Sequence, residues 1–456
     1  MNNQIDLYDE PYRPQFHFSA RTGWLNGPNG LVYFEGEYHL FFQHNRDCIN
    51  WGNIHWGHAV SPDLLHWREL PIALKPDHLG AIFSGSAVVD WTNSANLQTE
   101  DKPALVAIYT SAGGESPTSQ GQPYTQSIAY SNDLGRSWDK FVANPVLSHV
   151  VGQNRDPKVI RYPQNSSWIM SLYLDGEYYA IFSSKDLKHW SRNQTVQLPG
   201  ASECPDLFPL TLKSEDKQYW TFMGANGLYL IGEFDGQHFN KMEGPYRVDY
   251  GANFYAVQTF SDIPEEDGRR IQIAWMAGGS YPGMPFNQQM GIPTELTLHR
   301  TESGLRVFRN PICEIQILRR KSYSWSNLIL PNDAGVISVI RGDLFEIRVE
   351  IAADSDGFFS IKIRGTEITY SFAEQNVTCL GKSAPLPAVA GIIKLHILVD
   401  RTSIEIFGNE GEISMSFCFC PEDQDQSFAL SSECTSITLH HLDIYELASS
   451  MHETAR

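Results

Sequence analysis

Positive charge is scarce in this sequence. Its 456 residues carry 34 Lys and Arg against 53 Asp and Glu, a formal net charge of −19. A surplus of that sign repels phosphate backbones and anionic lipid, so nucleic acid and membrane are not expected as partners. A neutral ligand fits that balance. Long apolar runs are missing too, and nothing approaches the roughly 20 residues of a membrane-spanning helix. The N-terminus, Met1 to Glu10, is polar and acidic, unlike a secretory leader. The expectation is a cytoplasmic protein, or a secreted one whose leader has been removed. Cysteine is sparse and odd in number, seven in all, with no metal-type spacing beyond the weak Cys418-Phe419-Cys420 pair. Reduced thiols are expected, which favours the cytosol. Glycosylation triplets at Asn165, Asn193 and Asn376 matter only on a secretory route.

What is abundant is turn chemistry and aromatic rings. The chain holds 35 Gly, 25 Pro, 11 Trp, 20 Tyr and 24 Phe, and it is long enough for two domains. Most of the rings fill a core; a few are available to stack on sugars. A short unit recurs: Ala59-Val60-Ser61-Pro62-Asp63-Leu64-Leu65-His66-Trp67, then Ala129-Tyr130-Ser131-Asn132-Asp133-Leu134 with Trp138, then Phe182-Ser183-Ser184-Lys185-Asp186-Leu187-Lys188-His189-Trp190. A degenerate copy runs from Gly232 to Phe239 around Asp235. Each copy reads as a strand end, an Asp-capped turn and an aromatic that packs back. Such spacing suits propeller blades of about four strands.

A second repeat interleaves with the first. Gly27-Pro28-Asn29, Asp156-Pro157-Lys158 and Cys204-Pro205-Asp206 each open a hairpin of apolar strands. Proline at a strand's first residue removes no ladder bond. If these are the inner strands of three blades, the residues around each Pro ring one axial opening. Further along, Phe345 to Ile351, Phe359 to Ile363 and Ser403 to Phe407 alternate apolar and polar residues, as in an antiparallel sandwich. Residues 310–320 are expected to form a short linking helix. The boundary is placed near 320, giving an all-β protein with a propeller over 1–320 and a β-sandwich over 321–456.

Two of the three X-Pro steps carry an acid. Asp156 precedes Pro157, and Glu203 lies two before Pro205. Glycosidases need two acidic groups astride the scissile bond. Burial that raises a carboxyl pKa suits a proton donor, and Glu203 beside Cys204 is the candidate. Arg155 is expected to keep Asp156 ionised. Asp-Pro and Glu-x-Pro are also common turn material, and Asp63, Asp133 and Asp186 are assigned to turns. Asp156 and Glu203 stand apart because they hold equivalent places in the repeat.

At these residues the chain resembles glycoside hydrolase family 32, the invertase, levanase and inulinase family. Trp24-Leu25-Asn26-Gly27-Pro28-Asn29-Gly30 is similar to its first signature, Trp-(Met/Leu)-Asn-Asp-Pro-Asn-Gly. Phe41-Phe42-Gln43-His44, Trp51 to Ala59, Phe83-Ser84-Gly85-Ser86, Arg155-Asp156-Pro157 and Glu203-Cys204-Pro205-Asp206 follow in family order. So do residues 249–256, Trp275-Met276 and the sandwich signature from Val399 to Gly408. The resemblance implies a five-bladed propeller, a β-sandwich and a retaining hydrolase of fructose-containing oligo- or polysaccharides. It implies Glu203 as general acid/base and Asp156 as transition-state stabiliser. It implies a fructose pocket shaped by Asn26, Gln43, Trp51, Phe83, Ser84 and Arg155, with no metal or organic cofactor.

Two positions depart from the pattern. Gly27 stands where the family has its nucleophilic Asp, and glycine cannot form a covalent intermediate. Asn253 stands where an acid is frequent. Three readings follow: a β-fructosidase scaffold inactivated at Gly27, a naturally non-catalytic fructan-binding protein, or a related propeller hydrolase of arabinosides or xylosides. The Phe-Ser-Gly-Ser block and the sandwich argue against the third. Hydrolysis against fructosyl transfer, exo against endo action, and oligomeric state stay open. The loops 113–123 and 278–289 are expected to shape the rim.

Overall fold

The computed structural model describes residues 8–330, 340–353, 356–421, 426–433 and 436–451. Among these, five sheets, antiparallel but for one short strand, radiate from one axis, and the strands nearest that axis are Gly23–Phe34, Ala81–Val89, Arg155–Tyr162, Asp206–Leu212 and Tyr255–Thr259. The chain forms a five-bladed propeller followed by a β-sandwich. Apolar clusters fill the space between neighbouring blades. Val88, Ile108 and Ile128 meet Val159, Met170 and Phe182 in one of them, and Phe208, Met223 and Ile231 meet Ala274 and Leu296 in another. The ring closes where Ser261 exchanges backbone bonds with Leu31 and Tyr33, and where the short strand Phe286–Asn287 lies parallel to Gly23 and Trp24.

The Asp-centred repeat is a structural device. Asp63 Oδ1 accepts from the amides of Leu65 at 3.0 Å and His66 at 2.8 Å, and Asp186 Oδ1 from those of Lys188 at 3.0 Å and His189 at 2.9 Å. Asp133 caps Ser137, and Asp235 caps Gln237 and His238. The residue after Asp takes the same left-handed conformation each time: Leu64 at φ 68°, Leu134 at 61° and Leu187 at 61°. The indoles of Trp67, Trp138 and Trp190 fold back to donate to backbone carbonyls of their own turns.

The X-Pro steps do open inner strands, but proline is not their first residue. Pro28 sits within Gly23–Phe34 at a register shift, Pro157 is third in Arg155–Tyr162, and Pro205 lies just ahead of Asp206–Leu212. At Pro28, Pro157 and Pro205 the inner strands have no strand neighbour on the axial side, so a missing amide there forfeits no ladder bond.

In the sandwich, a six-stranded sheet faces a five-stranded one. Phe345, Ile347, Val349 and Ile351 point into the core from one strand, and Phe359, Ile361 and Ile363 from the facing sheet, as the alternation requires. The expected helix at 310–320 is a short 3-10 turn, Cys313–Leu318. Six described cysteines are unpaired thiols, and Cys434 lies outside the described residues.

A buried polar clamp joins propeller to sandwich. Asp400 accepts the amides of Gln15, Phe16 and His17 at 2.8, 3.0 and 3.2 Å. The His17 ring lies between Asp400 and Glu405, 2.8 Å from each, with all three side chains fully buried. Burial alone would lower the imidazole pKa, but the two carboxylates raise it from 6.5 to about 9. Against their own desolvation, His17 lowers the pKa of both acids. The imidazolium contribution is complete below 6.5 and fades as pH rises through about 9. The carboxylate contribution is complete above the ordinary values of 3.8 and 4.5 and fades as pH falls through the lower folded values. His17→Gln should therefore destabilise by about 3–5 kcal/mol near pH 6. Denaturant unfolding at a series of pH values should show that gap closing between pH 6.5 and 9.

Candidate active site

The axial opening is a cavity of about 360 Å³. All nine residues expected at the site line it: Asn26, Gly27, Gln43, Trp51, Phe83, Ser84, Arg155, Asp156 and Glu203. Backbone conformation delivers the two acids. Asp156 enters its strand at φ 63°, and Glu203 and Cys204 precede theirs at 59° and 38°. Non-glycine residues rarely adopt these angles, and they hold them where surrounding bonds over-determine them. For Asp156 those bonds are its amide to Thr110 Oγ1 at 3.0 Å and its carboxylate to the Cys204 amide at 3.2 Å.

Arg155 ties the acids together. Its Nη2 lies 2.5 Å from Glu203 Oε1, and its Nε lies 3.8 Å from Asp156 Oδ2. The guanidinium also stacks over Tyr173, 4.7 Å from the ring centre. The Tyr255 hydroxyl donates to the other Glu203 oxygen. Glu203 keeps 30% of its side chain exposed to the cavity, whereas Asp156 keeps 7%. That burial decides the titration of Asp156. Desolvation lifts it from 3.8 to about 6 against the pull of Arg155, with a smaller push from Glu203. Arg155 pulls toward the ionised form as expected, but burial outweighs it, so the carboxylate is charged at neutral pH and takes a proton below about 6.

Around this pair the wall is amphipathic. Gln43 donates to Ser84 Oγ. Trp51, Phe83 and Tyr124 meet edge to face, with centroids 6.4 and 5.8 Å apart. Asn26 Oδ1 is buried without a partner among the described residues, an acceptor ready for a ligand hydroxyl. Rings plus hydroxyl-binding groups are what a sugar requires.

Gly27 has ordinary backbone angles, so its φ does not exclude a side chain. A Cβ there would lie 2.9 Å from the Ala256 Cβ and 3.8 Å from Ser84 Oγ. Asn253, the other departure, does not line the cavity. It bridges the two domains: its Nδ2 donates to Ala277 O at 2.5 Å, and its Oδ1 accepts the Cys418 amide at 2.8 Å. A carboxylate could not make the first of these bonds.

The profile of the glycosyl hydrolases family 32 N-terminal domain matches residues 17–311, and that of the family's C-terminal domain matches residues 314–446. The chain belongs to glycosyl hydrolase family 32. It is 38% identical to a levanase of Bacillus subtilis, over 96% of this chain and 71% of that one. It is 32% identical to an extracellular exo-inulinase of Aspergillus awamori, over 97% and 96%. The crystal structure of exo-inulinase from Aspergillus awamori superposes with a TM-score of 0.86 at 30% identity, covering 97% of this chain and 99% of that chain. A fructofuranosidase from Schwanniomyces occidentalis complexed with fructose also gives 0.86, at 26% identity and 98% and 100% coverage.

Sequence reasoning did not assign Glu115, Tyr124, Gln153, Cys204, Tyr255, Ala256 and Trp275 to the wall. Cys204, Tyr255, Ala256 and Trp275 lie inside the family-like sequence blocks, and Glu115 in a loop expected at the rim. Tyr124 sits one residue past that loop, and Gln153 had no signal. The other expected rim loop, 278–289, acts at one remove: Gln288 accepts the Trp275 indole N–H at 3.1 Å.

Arg155→Met removes the cation that restrains Asp156. The titration midpoint of Asp156 should then climb above 6, read by carbon-13 NMR of the labelled carboxyl. An unchanged midpoint would show that burial alone sets it.

Proposed function

We propose that the chain is a retaining β-fructosidase scaffold for terminal fructosyl units of sucrose, levan or inulin, lacking the nucleophile at Gly27. In this reading residues 1–320 form the catalytic unit and 321–456 the sandwich that braces it. The observation that carries it is the convergence of Glu203 and Asp156 on one guanidinium inside a ring-walled cavity. Relatives described as levanases, exo-inulinases and invertase support the substrate class.

Glu203 is the general acid/base. It protonates the departing glycosidic oxygen and later takes a proton from water. Asp156 accepts hydrogen bonds from fructosyl hydroxyls and favours the oxocarbenium-like charge. Asn26, Gln43, Trp51, Phe83, Ser84 and Arg155 shape the fructose pocket. An Asp at position 27 would attack the anomeric carbon. With glycine there, the covalent step has no donor of electrons, and bound substrate stays whole.

Gly27→Asp should raise fructose release from sucrose, levan or inulin by about three or more powers of ten. Adding Glu203→Gln should abolish the gain. Silence of Gly27→Asp on all three substrates, with sugar binding intact, would favour a naturally non-catalytic fructan-binding protein. The tight approach of Ala256 to the position 27 Cβ is the observation on that side.

Binding in the present chain is measurable because cleavage does not intervene. If Asp156 accepts sugar hydroxyls, fructoside affinity falls as pH drops through about 6. In Asp156→Asn that pH dependence disappears. Calorimetric titrations between pH 4.5 and 8 give the comparison, and equal slopes in both proteins would remove Asp156 from the role.

A further inference from the structure

We propose that Glu115, oriented by Tyr124, is the specificity-determining residue that grips the leaving-group sugar at the mouth of the cavity. The inference rests on the fructosidase reading and adds to it the part of the substrate beyond the fructosyl ring. Exposure grades from floor to mouth. Gly27, Ser84, Asp156 and Ala256 are buried, whereas Trp51, Glu115 and Gln153 at the edge are exposed. Below the acids the axis is filled: Lys158 donates to Thr259 O at 2.5 Å, and Asp206 Oδ2 accepts the Thr259 amide at 2.6 Å. A ring seated against Asp156 and Glu203 therefore sends its substituent toward the edge.

Glu115 is held there in a fixed geometry. Its carboxylate Oε1 accepts the Tyr124 hydroxyl at 3.1 Å, and Tyr124 packs edge-on against Phe83. The adjoining turn organises itself through Ser116 and Ser119, with the Ser116 amide bonded to Ser119 Oγ at 3.2 Å and the two hydroxyls 2.8 Å apart. Thr118 Oγ1 then pins the turn to Asp77 O at 3.0 Å. Among the described residues no donor bonds the second oxygen, Oε2. A carboxylate that lines a sugar-sized opening with one oxygen uncommitted accepts hydrogen bonds from hydroxyls, and a charged acceptor makes a stronger bond than a neutral one.

The test is equilibrium binding to the present chain, with fructose and with the β-fructo-trisaccharide 1-kestose as probes. Glu115→Gln should weaken the trisaccharide about tenfold and leave fructose within about twofold. Tyr124→Phe should weaken the trisaccharide less, about threefold, because it frees the carboxylate without removing it. Unchanged trisaccharide affinity in Glu115→Gln, or an equal loss for both sugars, overturns the assignment while the fructosidase reading stands. A present chain that binds neither sugar removes that reading, and the inference with it.

Discussion

Apart from the short strand Phe286–Asn287 beside Gly23 and Trp24, the inner strands have no sheet neighbour on their axial side, and the protein must satisfy the polar groups they leave there. It does so with side chains that cross between blades. Ser86 bonds both Pro157 O and the Val159 amide, at 3.0 and 2.8 Å. Gln258 bonds Gly85 O at 2.9 Å and the Leu31 amide at 3.1 Å. Thr110 takes the Asp156 amide, and Asp206 takes the Thr259 amide. Buried backbone groups left unpaired would each cost about 1–3 kcal/mol. These crossings thus fix the relative height of the blades as well as filling the axis.

The same arrangement makes the cavity possible. Where the inner strands begin, the crossings give way to open space, and the chain enters through left-handed residues that aim side chains inward. Asp156, Glu203, Cys204 and Ala256 all have positive φ. A left-handed residue other than glycine costs on the order of 1–2 kcal/mol. Three inner strands carry that strain at one spot, and the bonds around Asp156 show what resists its relaxation. The result is two carboxylates held by one guanidinium, one of them nearly dry and one half open.

Much of this was legible beforehand because it is periodic. The Asp-Leu turn repeats with the same φ, the X-Pro steps mark three of the inner strands, and strict alternation marks the sandwich. What was hidden depends on burial or on a loop's own bonding. Nothing in Arg155-Asp156 announces that desolvation outweighs the neighbouring cation. Glu115 sits in a polar stretch whose serines make it rigid, and composition cannot distinguish that from a loose loop. Pro28 and Pro157 fall inside strands because a strand at the edge of its sheet tolerates a missing amide that a central strand would not, and the outer edges likewise hold Pro71 and Pro245.

Asn253 shows why the sandwich belongs to the site's physics. Its amide spans from Cys418 of the sandwich to Ala277, two residues past the wall residue Trp275. Nearby, Gln289 Oε1 accepts from Thr402 of the sandwich at 2.9 Å and from Tyr281 at 2.5 Å. Gln288, next in the chain, holds the Trp275 indole and bonds Gly279 O. The segment after Trp275 is therefore braced from the sandwich side, while Asp400 and Glu405 fasten the sandwich to His17 and Arg309 on the propeller. Each acid of the 399–408 signature makes a bond to the propeller. The signature is thus read in the structure as an interface. Its link to the cavity runs through the wall aromatic Trp275, and no described sandwich residue lines the cavity itself.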